Sequence, residues 1–140
     1  MKFMVCYDGS KESRKALEIA RDHAKVWGAS LEVATSIMRE LPLKHSYVAK
    51  KEQVLENEVE EILEGSGVPF EIELQLNTLS PEVQMVRFAE KESIDMIYVN
   101  IGKRSKVGKL VFGSMAQYLI LKAPCPVVTV KNSTQEKAGA

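Results

Sequence analysis

The sequence lacks most of what marks secreted, membrane-bound or metal-dependent proteins. Its two cysteines, Cys6 and Cys125, lie far apart and form no CxxC pair. No apolar run approaches the ~18 residues that a membrane-spanning helix needs, and the chain does not open on a charged segment followed by an apolar one. We therefore expect neither a signal peptide nor a membrane span. Unpaired cysteines are typical of a reducing compartment, so the expected location is cytoplasmic.

Net charge is also absent, since 19 Lys and Arg residues balance 19 Asp and Glu residues. Proteins that bind nucleic acid or membrane surfaces need an excess of positive charge, so we expect neither partner. A hydrophobic content of 45% and a charged content of 27% are typical of a globular domain. We expect one domain over residues 1–131 and a flexible polar tail over residues 132–140.

Catalytic motifs are missing as well. There is no GxSxG, HExxH or CxxC motif, and neither His23 nor His45 belongs to a motif. The glutamates between residues 52 and 64 are interpreted as the solvated face of a helix, because a hard-cation site needs oxygens that converge. A cleft without an evident general base favours binding over rapid turnover.

What the sequence does contain is an alternation of apolar strands and amphipathic helices. Strands are predicted over residues 2–7, 31–38, 70–76, 95–100 and 126–130. Helices are predicted over residues 11–27, from a cap at Ser46 to residue 64, from Pro81 to about residue 93, and from Gly113-Ser114 onward. This order predicts an α/β fold with a parallel sheet and helices on both faces. The long connection over residues 38–47 is a candidate lid.

Ligands of such sheets bind beyond the carboxyl ends of the strands, where the strand order reverses. The loop after the fourth strand is basic and leads to a helix start at Gly113-Ser114. Free N–H groups at a helix start, together with the Ser114 hydroxyl, suit a phosphate. Alternatively, Ser114 only caps its helix. Asp8, after the first strand, either bonds a base or ribose or caps the helix that follows.

The basic loop is not a P-loop. Five residues instead of four separate Gly102 from Gly108, and Leu110 stands where that motif needs Ser or Thr. There is also no GxGxxG after the first strand, where Gly9 is the single glycine.

Two stretches resemble the universal stress protein family. The opening VCYDGS at residues 5–10, with its following helix, is similar to the family's first strand, acidic turn and first helix. The GSM at residues 113–115 and the APCPVV at residues 123–128 resemble its closing helix and strand. The resemblance covers the whole length of the chain.

The resemblance implies a flavodoxin-like (Rossmann-like) five-stranded parallel sheet of order 3-2-1-4-5 and a homodimer through the last strand, residues 126–130. It also implies a stress-response binding or regulatory module that holds ATP or a related nucleotide, with Mg²⁺ on the phosphates, at the carboxyl ends of strands 1 and 4. The expected nucleotide-binding residues are Tyr7, Asp8, Val99, Asn100, Gly102, Lys103, Gly113, Ser114 and Met115.

The family's phosphate motif is Gly, two residues, Gly, nine residues, then Gly and Ser or Thr. Counting back from Gly113, its first two glycines fall on Asn100 and Lys103, and Gly102 is displaced by one residue. Asn100 can replace a glycine by adopting positive φ, Lys103 can compensate with its charge, or a bulge can bring Gly102 to the phosphates. Alternative functions are a nucleotide-free member that acts through protein contacts, and an enzyme such as a phosphatase, a nucleotidyl transferase or a slow ATP hydrolase.

Overall fold

The computed structural model describes residues 1–38, 45–77, 80–102 and 112–131. In these ranges five strands alternate with four helices, as the sequence predicts: β1 (Lys2–Cys6), α1 (Lys11–Trp27), β2 (Ser30–Met38), α2 (His45–Leu63), β3 (Phe70–Asn77), α3 (Pro81–Lys91), β4 (Met96–Asn100), α4 (Ser114–Lys122) and β5 (Val127–Val130). The predicted basic loop, the central residues 39–44 of the candidate lid over residues 38–47, and the predicted tail over residues 132–140 lie outside these ranges.

The sheet has the order β3-β2-β1-β4-β5 and every strand pair is parallel, which confirms the predicted topology. The chain moves in one direction along the sheet from β1 to β3 and in the other from β4 to β5. Because crossovers between parallel strands are right-handed, α1 and α2 cover one face while α3 and α4 cover the other. The order reverses between β1 and β4, and a crevice opens there at the carboxyl ends of the strands.

The central strands are apolar on both faces. In β1, Phe3 and Val5 join the core beneath α1 and α2, while Met4 and Cys6 join the core beneath α3 and α4. Side chains alternate in this way because successive residues of a strand point to opposite faces. A parallel sheet covered by helices on both sides needs this continuous apolar sequence.

The predicted ends of α1 and the predicted start of α3 are confirmed, and the predicted cap of α2 is wrong. Ser10 caps α1 by accepting a hydrogen bond from the Ser13 N–H at 3.1 Å, and Ser80 caps α3 with Pro81 in its first turn. Gly28 ends α1 with φ 66°, a left-handed conformation that favours glycine. By contrast, α2 begins at His45, so Ser46 lies inside the helix and is not its cap.

β3 lies at one end of the sheet, as the expected order 3-2-1-4-5 requires. Its Phe70 and Ile72 pack on the core beneath α1 and α2, while Glu71 is exposed to solvent. No helix in the described part of the chain is both long and apolar enough to cross a bilayer.

Candidate functional site

A cavity of about 320 Å³ lies at the carboxyl ends of β1 and β4. This volume is at the lower end of the ~300–1,000 Å³ that is typical of small-molecule pockets. The lining residues are Cys6, Tyr7, Asp8, Ser36, Pro81, Met85, Val99, Asn100, Gly102, Gly113, Ser114, Met115 and Ala116. The cavity therefore occupies the crevice that the strand order creates.

Most of the residues predicted from the sequence to form the site line this one cavity. They are Tyr7, Asp8, Val99, Asn100, Gly102, Gly113, Ser114 and Met115. The ninth predicted residue, Lys103, lies outside the described residues. Two widely separated parts of the sequence are thus brought together because β1 and β4 are neighbours in the sheet.

Asp8 caps the turn that leads from β1 into α1. Its Oδ1 accepts a hydrogen bond from the Ser10 N–H at 2.9 Å, and its own N–H donates to Ser13 Oγ at 3.3 Å. Burial tends to raise the pKa of Asp8, but the hydrogen bonds of Ser10 and Ser13 outweigh it and lower the pKa. The carboxylate is therefore charged at neutral pH. The cap of α1 is Ser10, so the alternative that Asp8 caps this helix is wrong, and contact of Asp8 with a ligand stays a prediction.

Tyr7 lines the cavity, but its side chain is held in the core. The ring belongs to the core beneath α1 and α2, and its hydroxyl donates to Glu58 Oε2 at 2.6 Å. Glu58 Oε1 in turn lies 3.6 Å from an Arg14 guanidinium nitrogen. Burial, and then the adjacent Glu58, raise the pKa of Tyr7. Tyr7 ties the end of β1 to α2, and the interpretation of Glu58 as only a solvated residue is wrong.

The start of α4 offers hydrogen-bond donors to the cavity. Gly113 is the N-cap, with no side-chain cap bond, so Ser114 is the first helical residue and is not the cap. The Gly113 N–H donates to the Ile101 carbonyl at 2.9 Å and is already engaged. The N–H groups of the first turn, beginning at Ser114 and Met115, have no partner within an α-helix. This end of the cavity suits an anion.

The Ser114 hydroxyl already has a partner within the chain. It donates to Glu82 Oε1 at 3.0 Å, and the Ser80 hydroxyl donates to Glu82 Oε2 at 2.6 Å. The Ser80 hydrogen bond is the main reason that the pKa of Glu82 is lowered. A carboxylate therefore lies at the N-terminus of α4, a feature that sequence reasoning missed.

The structure describes Asn100, Gly102 and Gly113 of the expected phosphate motif. Asn100 is the last residue of β4, in register with Val130. Among the described non-glycine residues, positive φ occurs only at Ser93, so the hypothesis that Asn100 replaces a glycine in this way is wrong. Gly102 has φ 117°, and a Cβ on Gly113 would lie 4.0 Å from the Gly102 Cα. The displaced glycine carries the unusual backbone conformation.

Five further lining residues were not predicted: Cys6, Ser36, Pro81, Met85 and Ala116. Strand alternation could have identified Cys6, which shares a face of β1 with Met4. Burial, and then the charge of Asp8, raise the pKa of the Cys6 thiol to about 12. The thiol is neutral and serves as a small apolar wall instead of a nucleophile.

No group of three or more His, Cys, Asp or Glu residues in the described ranges is arranged to hold a metal ion.

Comparison with known proteins adds an independent line of evidence. The model of the universal stress protein family matches residues 1–131. A universal stress protein from Mycolicibacterium smegmatis is 30% identical over 128 residues, which cover 91% of this chain and 95% of that protein.

Solved structures agree with this match. A universal stress protein from Archaeoglobus fulgidus has a TM-score of 0.81 at 30% identity and covers 94% of this chain and 98% of its own. A second A. fulgidus structure, a universal stress protein in complex with dAMP, has a TM-score of 0.74 at 24% identity with coverages of 94% and 98%. At 24% identity, the similarity to the second structure supports the fold alone.

Proposed function

Because the chain belongs to the universal stress protein family, we propose that it binds ATP or a related adenine nucleotide in the cavity at the carboxyl ends of β1 and β4. The observation that carries this proposal is a single cavity that joins Asp8 to an α4 N-terminus without a side-chain cap. The protein of the same fold that holds dAMP supports an adenine ligand. In this proposal the chain is a stress-linked binding or regulatory module, with at most slow hydrolysis.

The two ends of the cavity have different roles in this proposal. Asp8 and Val99 contact the adenine end. At the other end, the first-turn N–H groups at Ser114 and Met115 donate to phosphate oxygens, with Lys103 as an added charge. Mg²⁺ would be held mainly through those phosphate oxygens, as is usual for this ion.

The test is a calorimetric titration of nucleotide-stripped protein with ATP and Mg²⁺. We expect the parent to bind with micromolar affinity. Asp8→Asn should lower this affinity at least about tenfold, because a hydrogen bond to a charged group contributes roughly 1.5–3 kcal/mol. Asn is chosen because its side-chain oxygen can still accept from the Ser10 N–H. The effect on binding is thereby separated from the loss of this hydrogen bond in the turn before α1.

Asp22→Asn is the matched control, since it removes the same charge from an exposed position of α1. Its affinity should equal that of the parent. Absence of heat and of a thermal shift with ATP, ADP, AMP and dAMP would contradict nucleotide binding and favour a family member that acts through protein contacts. Product that accumulates linearly well beyond the protein concentration would favour an enzyme.

A homodimer through β5 is the second part of the proposal. β5 is an edge strand, and an unpaired edge is a template for another strand. On the helix that precedes β5 in the chain, Leu121 is 78% exposed. The carbonyls of Pro126 and Val130 accept hydrogen bonds from β4. Because the backbone groups of successive strand residues point to opposite edges, those of Thr129 face the free edge.

Light scattering at micromolar concentration should give twice the monomer mass for the parent. Thr129→Pro should give the monomer, because proline removes an N–H that faces the free edge and leaves the bonds to β4 in place. A parent that scatters as a monomer would rule out the dimer. A Thr129→Pro protein that stays dimeric would move the interface away from β5.

A further inference from the structure

A carboxylate lies next to the helix start at which the proposed function puts the nucleotide phosphates. Glu82, in the first turn of α3, reaches the N-terminus of α4 and accepts a hydrogen bond from the Ser114 hydroxyl at 3.0 Å. Pro81, its neighbour, and Ser114 both line the cavity. The hydroxyl that would contact a phosphate oxygen is therefore already bonded to an anion of the same chain.

Two hydroxyl groups hold the Glu82 carboxylate in place. The Ser80 hydroxyl, which also accepts from the Val83 N–H as the cap of α3, donates to the second carboxylate oxygen at 2.6 Å. This hydrogen bond is the largest of the effects that lower the pKa of Glu82, so the group is ionised at neutral pH. The positive end of the α4 dipole further favours an anion here.

A phosphate group and Glu82 would compete for the Ser114 hydroxyl and would repel each other. The repulsion between unit charges a few ångströms apart is substantial near a protein surface, and it grows with each phosphate charge. A nucleoside carries no such charge, and a monophosphate carries less of it than a triphosphate. A bound divalent cation reduces the charge of the triphosphate and with it the repulsion.

We propose that Glu82 is a specificity-determining residue that makes the cavity favour adenine ligands with few phosphate charges, because its carboxylate competes with phosphate for the N-terminus of α4. This inference rests on the proposed function. ATP binds only after it displaces Glu82 from Ser114. Mg²⁺ reduces the difference in affinity by which AMP is favoured over ATP.

The test compares adenosine, AMP and ATP on the parent and on Glu82→Gln, by calorimetric titration in EDTA and then in Mg²⁺. In EDTA we expect Glu82→Gln to bind ATP about tenfold more tightly than the parent does, AMP a few-fold more tightly, and adenosine within about twofold of the parent. Raising the salt concentration should shrink the gain for ATP, because salt screens exposed charges.

Glu90→Gln is the matched control. It removes the same charge from an exposed position of the same helix, about 12 Å farther along at 1.5 Å per residue. We expect it to bind all three ligands within about twofold of the parent. A thermal melt of each variant establishes that it is folded, and glutamine keeps an acceptor for Ser80 or Ser114.

Three other outcomes would overturn the inference. If ATP binds the parent and Glu82→Gln equally, Glu82 does not compete with phosphate. If Glu82→Gln binds ATP more weakly in Mg²⁺ than the parent does, Glu82 is a cation ligand instead of a competitor. If no variant binds adenosine, AMP or ATP, the proposed function itself fails, and this result is distinct from the first two.

Discussion

Tyr98→Ala should lower the free energy of unfolding by about 3–5 kcal/mol, the usual cost of truncating a large buried aromatic side chain. Tyr98 lies in the middle of β4 and is 0% exposed. Its ring centroid is 5.7 Å from that of Phe3 and 5.4 Å from that of His23, which meets it edge-on. The truncation would open a cavity between the central strands and α1, the elements that hold the floor of the cleft.

Tyr98→Phe separates ring packing from the hydrogen bond. The Tyr98 hydroxyl lies 2.6 Å from His23 Nδ1, and a hydrogen bond of this kind contributes about 1 kcal/mol. We therefore expect Tyr98→Phe to cost about 1 kcal/mol, and His23→Ala to cost a similar amount because its ring is exposed. Urea unfolding monitored by circular dichroism measures all three variants. If Tyr98→Phe is as unstable as Tyr98→Ala, packing of the ring is not what Tyr98 contributes.

The sequence predicted the order of the elements and a parallel sheet because the signals for them are local, whereas the strand order 3-2-1-4-5 was implied by the family resemblance. Short apolar runs such as residues 2–7 and 95–100 alternate with helices whose apolar residues recur at helical spacing. The alternation of strands with helices then predicts a parallel sheet. Because ligands bind at the carboxyl ends of such strands, Asp8 and Asn100 are expected at one edge of the sheet. The location of the cleft follows from connectivity and needs no side-chain detail.

The polar pairs around the cleft were not predictable in the same way. Glu58 was interpreted as a solvated helix residue, and Glu82 has the sequence position of an ordinary acid in the first turn of a helix. Their partners, Tyr7 and Ser114, come from other elements. Whether such a carboxylate meets them depends on how α2 and α3 are rotated and where they begin, and helix boundaries read from sequence alone are uncertain by a few residues.

The backbone of the motif shows a similar limit. Asn is one of the few residues that adopts positive φ at modest cost, so Asn100 was a reasonable substitute for glycine. In the structure, pairing with Val130 holds Asn100 in β4, and the positive φ occurs two residues later at Gly102. The length of β4 determines which residue adopts positive φ, and sequence alone does not locate the end of a strand to within one residue.

Gly102→Ala should weaken adenine-nucleotide binding more than tenfold and cost about 1–3 kcal/mol of stability. The φ of 117° at Gly102 is one that other residues adopt only under strain of this order. The neighbouring Ile101 carbonyl accepts from the Gly113 N–H at 2.9 Å. A shift of the backbone at Gly102 would therefore move the start of α4, which carries the proposed phosphate donors.

Gly113→Ala is the matched control for the strain, and thermal unfolding with calorimetric titration measures both variants. Gly113 has φ −67°, and a Cβ there would meet the Gly102 Cα at an ordinary contact distance of 4.0 Å. The loss of a good N-cap residue and the lower entropy of the unfolded chain oppose each other, so the stability should change by less than about 1 kcal/mol. Equal stability losses in both variants would mean that the positive φ of Gly102 imposes no strain on an alanine at that position. Nucleotide binding would then depend on the donors of α4 alone, without help from the displaced glycine.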